Sequence, residues 1–333
     1  MKRHALSRRT VLKAAAAWAP ASGLGLGGLG ALNARAQSPL RWANLAPGFT
    51  TLLTDYMVAK ELDKANGLQL GKPTAYTAVT TYYNDFVAGN YDVCIGSWDT
   101  FASRHIAGVP LQYVCSVTTG NMINIVTQAK GPATVQDLKG KTLAAPQSTG
   151  TYRMMRAVVK GLAGIDLETH AVVQNVDNPA ASVTLVMANR ADAGLTWEPN
   201  VSVGLARVPD MRVLYNAGEE YRKRVNLDLP YFGVAVRKEV IARDPGVVAR
   251  LNKAFGECIA GITGQTEEAV KIAGANSGIP PEVLKVAIAS KRLEFKHVSM
   301  QTDEGRRSIV TANDFLVRNA ALTKVVDNGF FAA

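Results

Sequence analysis

The residues best suited to chemistry in this sequence form one hydroxyl-rich segment, Ser148-Thr149-Gly150-Thr151. It joins an apolar strand-like segment to a helix-like one, so the first N–H groups of that helix would point out of the loop. Those donors and the helix dipole favour a bound anion, and the hydroxyls add further donors. Gly150 would let a ligand approach the backbone closely. The alternative is a plain helix cap made by Ser148 or Thr149.

Two further loops place an indole beside a polar side chain. Ser97 and Trp98 would open a helix, where the serine caps and the indole either forms an aromatic wall or packs inside. Trp197 and Glu198 end a strand-like segment, and an indole next to a carboxylate suits a flat or cationic group. An acid facing an anion is unfavourable, so Glu198 would otherwise hold Arg153 or bridge two parts of the fold.

The loop after the first strand-like segment is the fourth candidate. Pro47, Gly48 and Phe49 offer backbone groups and an aromatic ring to a ligand. Tyr152 and Arg153 follow the hydroxyl-rich segment, and the guanidinium fork of Arg153 suits a carboxylate or sulfonate. All four loops would lie beyond the carboxyl ends of strands, where open α/β sheets bind their ligands.

Signatures of catalysis, metal binding and cofactor binding are missing from the sequence. Beyond residue 36 the histidines are His105, His170 and His297, and none has the spacing of a metal-ligand pair. There is no GxSxG elbow, no GxGxxG after the first strand-like segment and no GxxxxGK[ST] loop. The sequence therefore predicts no catalytic residue, no metal and no cofactor, and it favours a protein that is not an enzyme.

Strand-like and helix-like segments alternate along the chain, which predicts an α/β fold with mostly parallel sheets. The predicted strands are 40–45, 74–79, 91–96, 111–118, 121–128, 142–145, 171–175, 191–196 and 231–236. The predicted helices are 50–65, 82–88, one opening at 97, 151–162 and 179–188, followed by a mostly helical portion from 245.

The first 36 residues have the features of an export signal. Arg8-Arg9 precede a glycine-diluted apolar run, Ala14 to Leu32, and Ala34-Arg35-Ala36 is a small-x-small cleavage pattern. These features predict a twin-arginine signal peptide over residues 1–36 and a mature chain from Gln37. The twin-arginine export machinery would then be a partner and the periplasm the destination.

Charge and cysteine content narrow the classes of function and of site that remain possible. The whole chain carries +10, but without the six basic residues of the signal it has 31 Lys and Arg against 27 Asp and Glu, or +4. This modest charge, with no basic block, does not favour nucleic-acid binding. Cys94, Cys115 and Cys258 lack metal-site or framework spacing. Cys94 and Cys115 would pair only if their strands are neighbours, and buried free thiols are the expectation.

Four segments, in this order, give the chain a recognisable resemblance. They are Tyr91–Ser97 with Gly108-Val109-Pro110-Leu111, Asp137–Pro146 with Ser148–Thr151, Ala191–Pro199, and Val234–Glu239 with Asp244-Pro245. Together they resemble the sulfonate/nitrate/taurine group of periplasmic substrate-binding proteins of ABC importers. Each segment alone is weakly specific, whereas the ordered set spans most of the mature chain.

The resemblance implies a two-lobed periplasmic binding protein fold of type II, with a mostly parallel sheet flanked by helices in each lobe. Lobe one would comprise residues 37–122 plus 230–333, and lobe two residues 123–229. The ligand would sit between the lobes, and Ser148–Thr151 would match the family's ligand loop. The two chain crossings would act as the hinge.

The function implied is capture of a small organic anion, sulfonate-like or carboxylate-like, by a monomer that delivers it to an ABC transporter permease. A neutral or cationic heterocycle such as a pyrimidine precursor is the alternative ligand. A biosynthetic enzyme of a related branch, and a sensor protein that binds the same ligand, are the alternative functions.

Overall fold

The computed structural model describes residues 39–332. All of the described residues belong to one compact unit. The predicted signal peptide lies outside the described residues. Within residues 39–332, no helix is both long enough and apolar enough to cross a bilayer.

The strands occur where the apolar pattern predicts them, with two additions. They are β1 (Trp42–Leu45), β2 (Thr74–Tyr76), β3 (Val93–Ser97), β4 (Leu111–Thr118), β5 (Ile123–Gln128), β6 (Thr142–Ala145), β7 (Val172–Asn175), β8 (Ala193–Trp197), β9 (Met211–Asn216), β10 (Phe232–Arg237) and β11 (Phe295–Ser299). The additions, β9 and β11, are edge strands. Most of their residues are only half-buried, so they lack the continuous apolar run that marks an inner strand.

The helices surround these strands. They are α1 (Thr50–Ala59), α2 (Leu62–Ala65), α3 (Val79–Ala88), α4 (Trp98–Ile106), α5 (Gly150–Ala163), α6 (Leu167–His170), α7 (Pro179–Met187), α8 (Asn200–Arg207), α9 (Ala217–Val225), α10 (Lys238–Arg243), α11 (Val247–Gly264), α12 (Thr266–Ala273), α13 (Pro281–Ala289) and α14 (Asp303–Arg318). The single helix predicted over residues 50–65 is split in two, because Glu61 adopts a left-handed backbone with φ of 49°.

Two separate sheets organise the described residues. The first has the order β11-β4-β10-β3-β1-β2, and the second has the order β7-β6-β8-β5-β9. The α/β fold class is confirmed, and most strands of each sheet share one direction: β1, β2, β3 and β4 in the first sheet, and β6, β7, β8 and β9 in the second. β10 runs antiparallel to β3 and β4, and β5 runs antiparallel to β8 and β9. The chain reaches β5 and β10 from the other sheet, so no crossover helix forces them parallel.

Buried polar contacts fix two helices on the first sheet. The Tyr82 hydroxyl, on α3, donates to the Ile95 carbonyl at 2.9 Å and accepts from the Ile95 N–H at 3.0 Å. Asn44 on β1 donates to the Thr54 hydroxyl of α1 at 2.9 Å. These bonds hold α1 against β1 and α3 against β3.

The three cysteines are buried free thiols, as expected. Cys94 lies on β3 and Cys115 on β4, and β10 runs between those two strands. The strands are therefore not neighbours, which removes the alternative of a disulfide between them. Burial raises the pKa of the Cys94 thiol to about 12, so this thiol stays protonated at neutral pH.

Candidate ligand-binding site

A cavity of about 450 Å³ lies between the two sheets. The first-sheet side contributes Leu45–Thr50, Tyr76, Thr77, Val79, Phe232 and 278–280, and the second-sheet side contributes Asn178–Ala180, Trp197, Pro199, Asn200, Val203 and Arg207. Several of these residues follow directly on the carboxyl ends of β1, β2 and β8, as expected for a ligand site in an open α/β sheet.

One wall of the cavity is built from two loops in close contact. Pro47 follows a cis peptide bond, and the next residue, Gly48, donates its N–H to the Ser277 carbonyl at 3.0 Å. Gly278 has φ of +66°, and a Cβ there would stand 2.5 Å from the Cβ of Pro47. Glycine is therefore required at 278 both by the backbone and by the space available.

Aromatic rings face the cavity from both sheets. Phe49 packs edge-on against Phe232, with ring centroids 4.9 Å apart and an interplanar angle of 73°. Trp197 approaches from the second sheet and is 8% exposed. These rings offer an apolar surface to the body of a ligand.

The polar character of the cavity comes mainly from helix ends. α1, α3 and α13 begin at the cavity, and no side chain caps any of them. The second-sheet helices differ: Asn178 caps α7 by accepting the Ala180 N–H at 2.8 Å, and Glu198 accepts the Ser202 N–H of α8 at 3.0 Å. These ends give the first-sheet side a partial positive potential, with the smallest share from α13, where Pro280 and Pro281 have no N–H and Glu282 is in the first turn.

Two side chains complete the electrostatics of the cavity. Arg207, which is exposed, is the one charged residue among the described residues of the lining. The Tyr76 hydroxyl donates to Asp85 at 2.6 Å, and this bond, together with burial, raises the pKa of Tyr76 to about 12. The cavity therefore presents a guanidinium and a neutral phenol.

The structure divides the predicted site residues between two places. Pro47, Gly48, Phe49 and Trp197 line the cavity. The other predicted residues are outside its lining; they are Ser97, Trp98, Ser148, Thr149, Gly150, Thr151, Tyr152, Arg153 and Glu198.

Four of the nine predicted residues outside the lining gather where α4 meets α5. We call this cluster of Ser97, Asp99, Gly150, Thr151 and Arg153 the α4–α5 contact. Ser97 and Arg153 both donate to the buried Asp99 carboxylate, the latter from its Nε at 2.9 Å. A Cβ on Gly150 would stand 2.2 Å from Asp99 Oδ1. The first turn of α5 is thus packed against side chains of α4.

The remaining predicted residues have structural partners. Trp98 is fully buried and donates its indole N–H to the Pro230 carbonyl at 2.8 Å. Thr149 is the cap of α5, accepting the Tyr152 N–H at 3.3 Å, while Ser148 is exposed. Tyr152 is buried, and this burial raises the pKa of its hydroxyl.

Glu198 bridges two parts of the fold, the alternative that the sequence left open. It is fully buried and accepts from Arg292 Nε at 2.7 Å and from the Ser202 hydroxyl at 2.9 Å. The arginine that it holds is therefore Arg292, which lies between α13 and β11, rather than Arg153.

Several residues of the lining are not among those predicted from the sequence. Tyr76 and Thr77 stand at the end of β2, and Asn178-Pro179 follow β7 closely, so the rule about strand ends applies to them as well. The Asn-Pro pair is also a helix-start signal. Residues 278–280 are remote in the sequence from the loop at Pro47, and no local pattern predicts that they meet.

A family model described as "NMT1/THI5 like" matches residues 54–269. No curated protein matches the sequence.

Solved structures with the same fold are numerous. The periplasmic aliphatic sulphonate binding protein SsuA of Escherichia coli has a TM-score of 0.70 at 18% identity, covering 88% of this chain and 91% of that one. The alkanesulfonate-binding protein SsuA of Xanthomonas axonopodis pv. citri, bound to MOPS, has a TM-score of 0.67 at 18% identity, covering 89% and 96%. The Candida albicans CA3427 gene product, described as having the generic periplasmic binding protein fold, has a TM-score of 0.64 at 17% identity, covering 88% and 94%. The periplasmic binding protein fold is thereby confirmed.

Proposed function

The chain belongs to the NMT1/THI5-like family, and from this premise we propose that it is an exported solute-binding protein that holds a small organic anion in the cavity between its two sheets. The observation that carries this proposal is the convergence of three uncapped helix N-termini on one side of a cavity walled by aromatic rings. The volume of about 450 Å³ is within the range of small-molecule sites.

The acidic group of the ligand would bind at the first-sheet side. Each helix N-terminus stabilises a nearby negative charge by about 0.3–1 kcal/mol, and three of them face the same space. Arg207 adds a full positive charge from the second sheet. A carboxylate or sulfonate held by both sides would favour the closed arrangement of the protein.

The body of the ligand would lie against Phe49, Phe232 and Trp197. Sulfonates are supported as a class because the similar Xanthomonas protein is bound to MOPS. A flat heterocycle such as a pyrimidine precursor remains the second candidate, and Trp197 is the observation in its favour. A cationic heterocycle has less support, since the carboxylate of Glu198 is held by Arg292 and Ser202.

A binding role is favoured over catalysis by the kinds of residue that meet the cavity. Among the described residues of the lining there is no histidine, cysteine or carboxylate to act as a nucleophile or a general base. No described group of three or more His, Cys, Asp or Glu residues is placed to hold a metal ion.

Two lobes, 37–122 plus 230–333 and 123–229, would move about the crossings near residues 118–124 and 228–233. A monomer of this kind would pass its ligand to an ABC permease in the periplasm. A sensor that binds the same ligand would report to a receptor instead. Deletion of the partner permease separates the two roles, because it abolishes uptake only if the protein delivers its ligand to that permease.

The proposed site is tested by thermal-shift and calorimetric titration of the purified protein with MOPS, taurine, nitrate, benzoate and a pyrimidine. A ligand at 100 times its Kd should stabilise the fold by about 2.7 kcal/mol. We expect Trp197→Ala to weaken binding on the order of tenfold or more, and Ser148→Ala, outside the lining, to leave Kd unchanged. Loss of binding in Ser148→Ala with full binding in Trp197→Ala would contradict this site.

Export is tested separately by cell fractionation. Arg8→Lys with Arg9→Lys should retain the protein in the cytoplasm, because the twin-arginine machinery reads the arginine pair. Equal periplasmic recovery of both forms would contradict a twin-arginine signal.

A further inference from the structure

The α4–α5 contact contains a carboxylate that is completely buried between two helix ends. Asp99 lies in the first turn of α4 and has no exposed surface. α4 follows β3 of the first sheet, whereas α5, which it meets, follows β6 of the second. The carboxylate therefore stands at the boundary between the two sheets, next to the N-termini of one helix from each.

Both oxygens of this carboxylate have partners, and the partners come from both sides. The Ser97 hydroxyl, from the first-sheet side, donates to Oδ1. Arg153, on α5, donates to Oδ2 through Nε at 2.9 Å and approaches it with Nη2 at 2.8 Å. The same Nη2 donates to the Thr100 hydroxyl at 2.8 Å, so the guanidinium is docked on α4 by two acceptors.

The backbone of α5 is shaped around the carboxylate. A Cβ at Gly150, the first residue of α5, would stand 2.2 Å from Asp99 Oδ1 and 2.6 Å from Ser97 Oγ. Beside it, the Thr151 and Tyr231 hydroxyls are 2.5 Å apart and join α5 to the segment that leads into β10. A side chain of the chain itself thus occupies the place where the sequence predicts a ligand anion.

We propose that Asp99 acts as a built-in anion: it holds the two sheets closed when no ligand is bound, and it keeps ligand anions away from the N-terminus of α5. The negative charge is favourable at the positive ends of both α4 and α5, and it neutralises Arg153. Separation of the sheets would break the ion pair between the fully buried Asp99 and Arg153, whose side chain is 29% exposed. The inference concerns the ligand-free state and does not depend on which ligand enters the cavity.

The test is a chemical rescue followed by small-angle X-ray scattering on the ligand-free protein. Asp99→Ala should increase the radius of gyration, because the contact across the sheets is lost. Formate fits the space of the missing carboxylate and should return the radius toward the wild-type value, whereas chloride at the same ionic strength should not. A variant as compact as wild type, or equal rescue by chloride, overturns the proposal.

Two further variants complete the test. Asp99→Asn keeps the volume of the side chain without its charge, so it should be expanded and insensitive to formate, and a compact Asn variant would also overturn the proposal. If Asp99→Ala does not fold, the Asp99→Asn variant is sufficient as the test. Glu268→Ala removes the partner of Lys60 within the first-sheet region, between α1 and α12, and should leave the radius unchanged.

Discussion

The α4–α5 contact and the cavity are both places where helix N-termini meet between the two sheets, yet their chemistry is opposite. At the contact, Thr149 caps α5, and the Asp99 carboxylate, held by Ser97 and Arg153, places a negative charge beside the ends of α4 and α5. At the cavity, α1, α3 and α13 begin without a side-chain cap and open onto about 450 Å³ of space. The difference shows that a helix N-terminus is available to a ligand only where the chain does not supply its own anion or cap.

The largest expected effect on stability comes from removing a buried carboxylate that accepts a hydrogen bond from the first turn of a helix. Glu198→Ala would leave Arg292 and the first turn of α8 without their buried partner. Loss of one member of a buried pair destabilises a fold by about 3–5 kcal/mol, and chemical denaturation would measure the change. Glu268→Gln is the matched control, since Glu268 is 45% exposed and screened by water. Equal losses of stability in the two variants would contradict the expected difference between a buried, hydrogen-bonded charge and a solvent-exposed one.

A smaller effect is expected from crowding the α4–α5 contact. Gly150→Ala places a Cβ 2.2 Å from Asp99 Oδ1, and overpacking of this kind destabilises by about 1–3 kcal/mol. The control is Gly264→Ala at the end of α11, where nothing lies within 4 Å of the added Cβ. Thermal unfolding should show a lower midpoint only for the first variant. An unchanged midpoint for Gly150→Ala would mean that the contact is loose in solution.

A third variant tests the comparison by placing a carboxylate of the chain at the N-terminus of one helix that begins at the cavity. Ala78 is the uncapped N-cap residue of α3, with φ −104° and ψ 120°, a conformation that suits a capping aspartate. Ala78→Asp should stabilise the fold by about 1 kcal/mol and weaken anion binding on the order of tenfold. Thermal denaturation and calorimetry measure the two effects.

The control for Ala78→Asp is Val172→Asp, which adds the same charge on β7 at a residue that is 58% exposed. It should leave the ligand affinity unchanged. Equal weakening by both variants would indicate a long-range charge effect and would contradict a role for the end of α3.

A change of pH is expected to have the smallest effect on ligand affinity. Tyr76 is the titratable phenol of the cavity, and its hydrogen bond to Asp85, with burial, raises its pKa to about 12. The stability due to this bond is complete below the unfolded tyrosine pKa of about 10 and is lost as the pH rises through the folded pKa. Calorimetry from about pH 7 to pH 9 should therefore give a constant Kd for a sulfonate, and a decline in that window would require another titrating group.

Much of the fold follows from local sequence patterns. The inner strands β3, β4, β5 and β8 are buried along almost their whole length because both of their faces are covered, and each occurs within a few residues of its prediction. The edge strands β9 and β11 were not predicted, although β2 and β7, which are edge strands too and more exposed, were predicted. The directions of β5 and β10 depend on the path of the chain between the sheets, which no local window contains.

The rule about strand ends selects residues both inside and outside the lining of the cavity. The rule that ligands lie beyond the carboxyl ends of strands identifies Phe49 and Trp197, which line the cavity. It identifies Ser148 and Arg153 equally well, although they lie outside the lining. Local sequence cannot separate these cases, since the side chain that fills the end of α5, Asp99, belongs to a different helix and a different sheet.

The sequence by itself determined the α/β class, the order of most elements and the family resemblance, because periodicity, caps and turn residues act over short distances along the chain. Only the tertiary structure decided which helix ends remain open. That outcome depends on contacts such as Asp99 with Arg153, Glu198 with Arg292 and Gly278 with Pro47, which join residues far apart in sequence. The effect of a buried charge or of a missing Cβ depends on the atoms packed against it, and only the folded chain brings those atoms together.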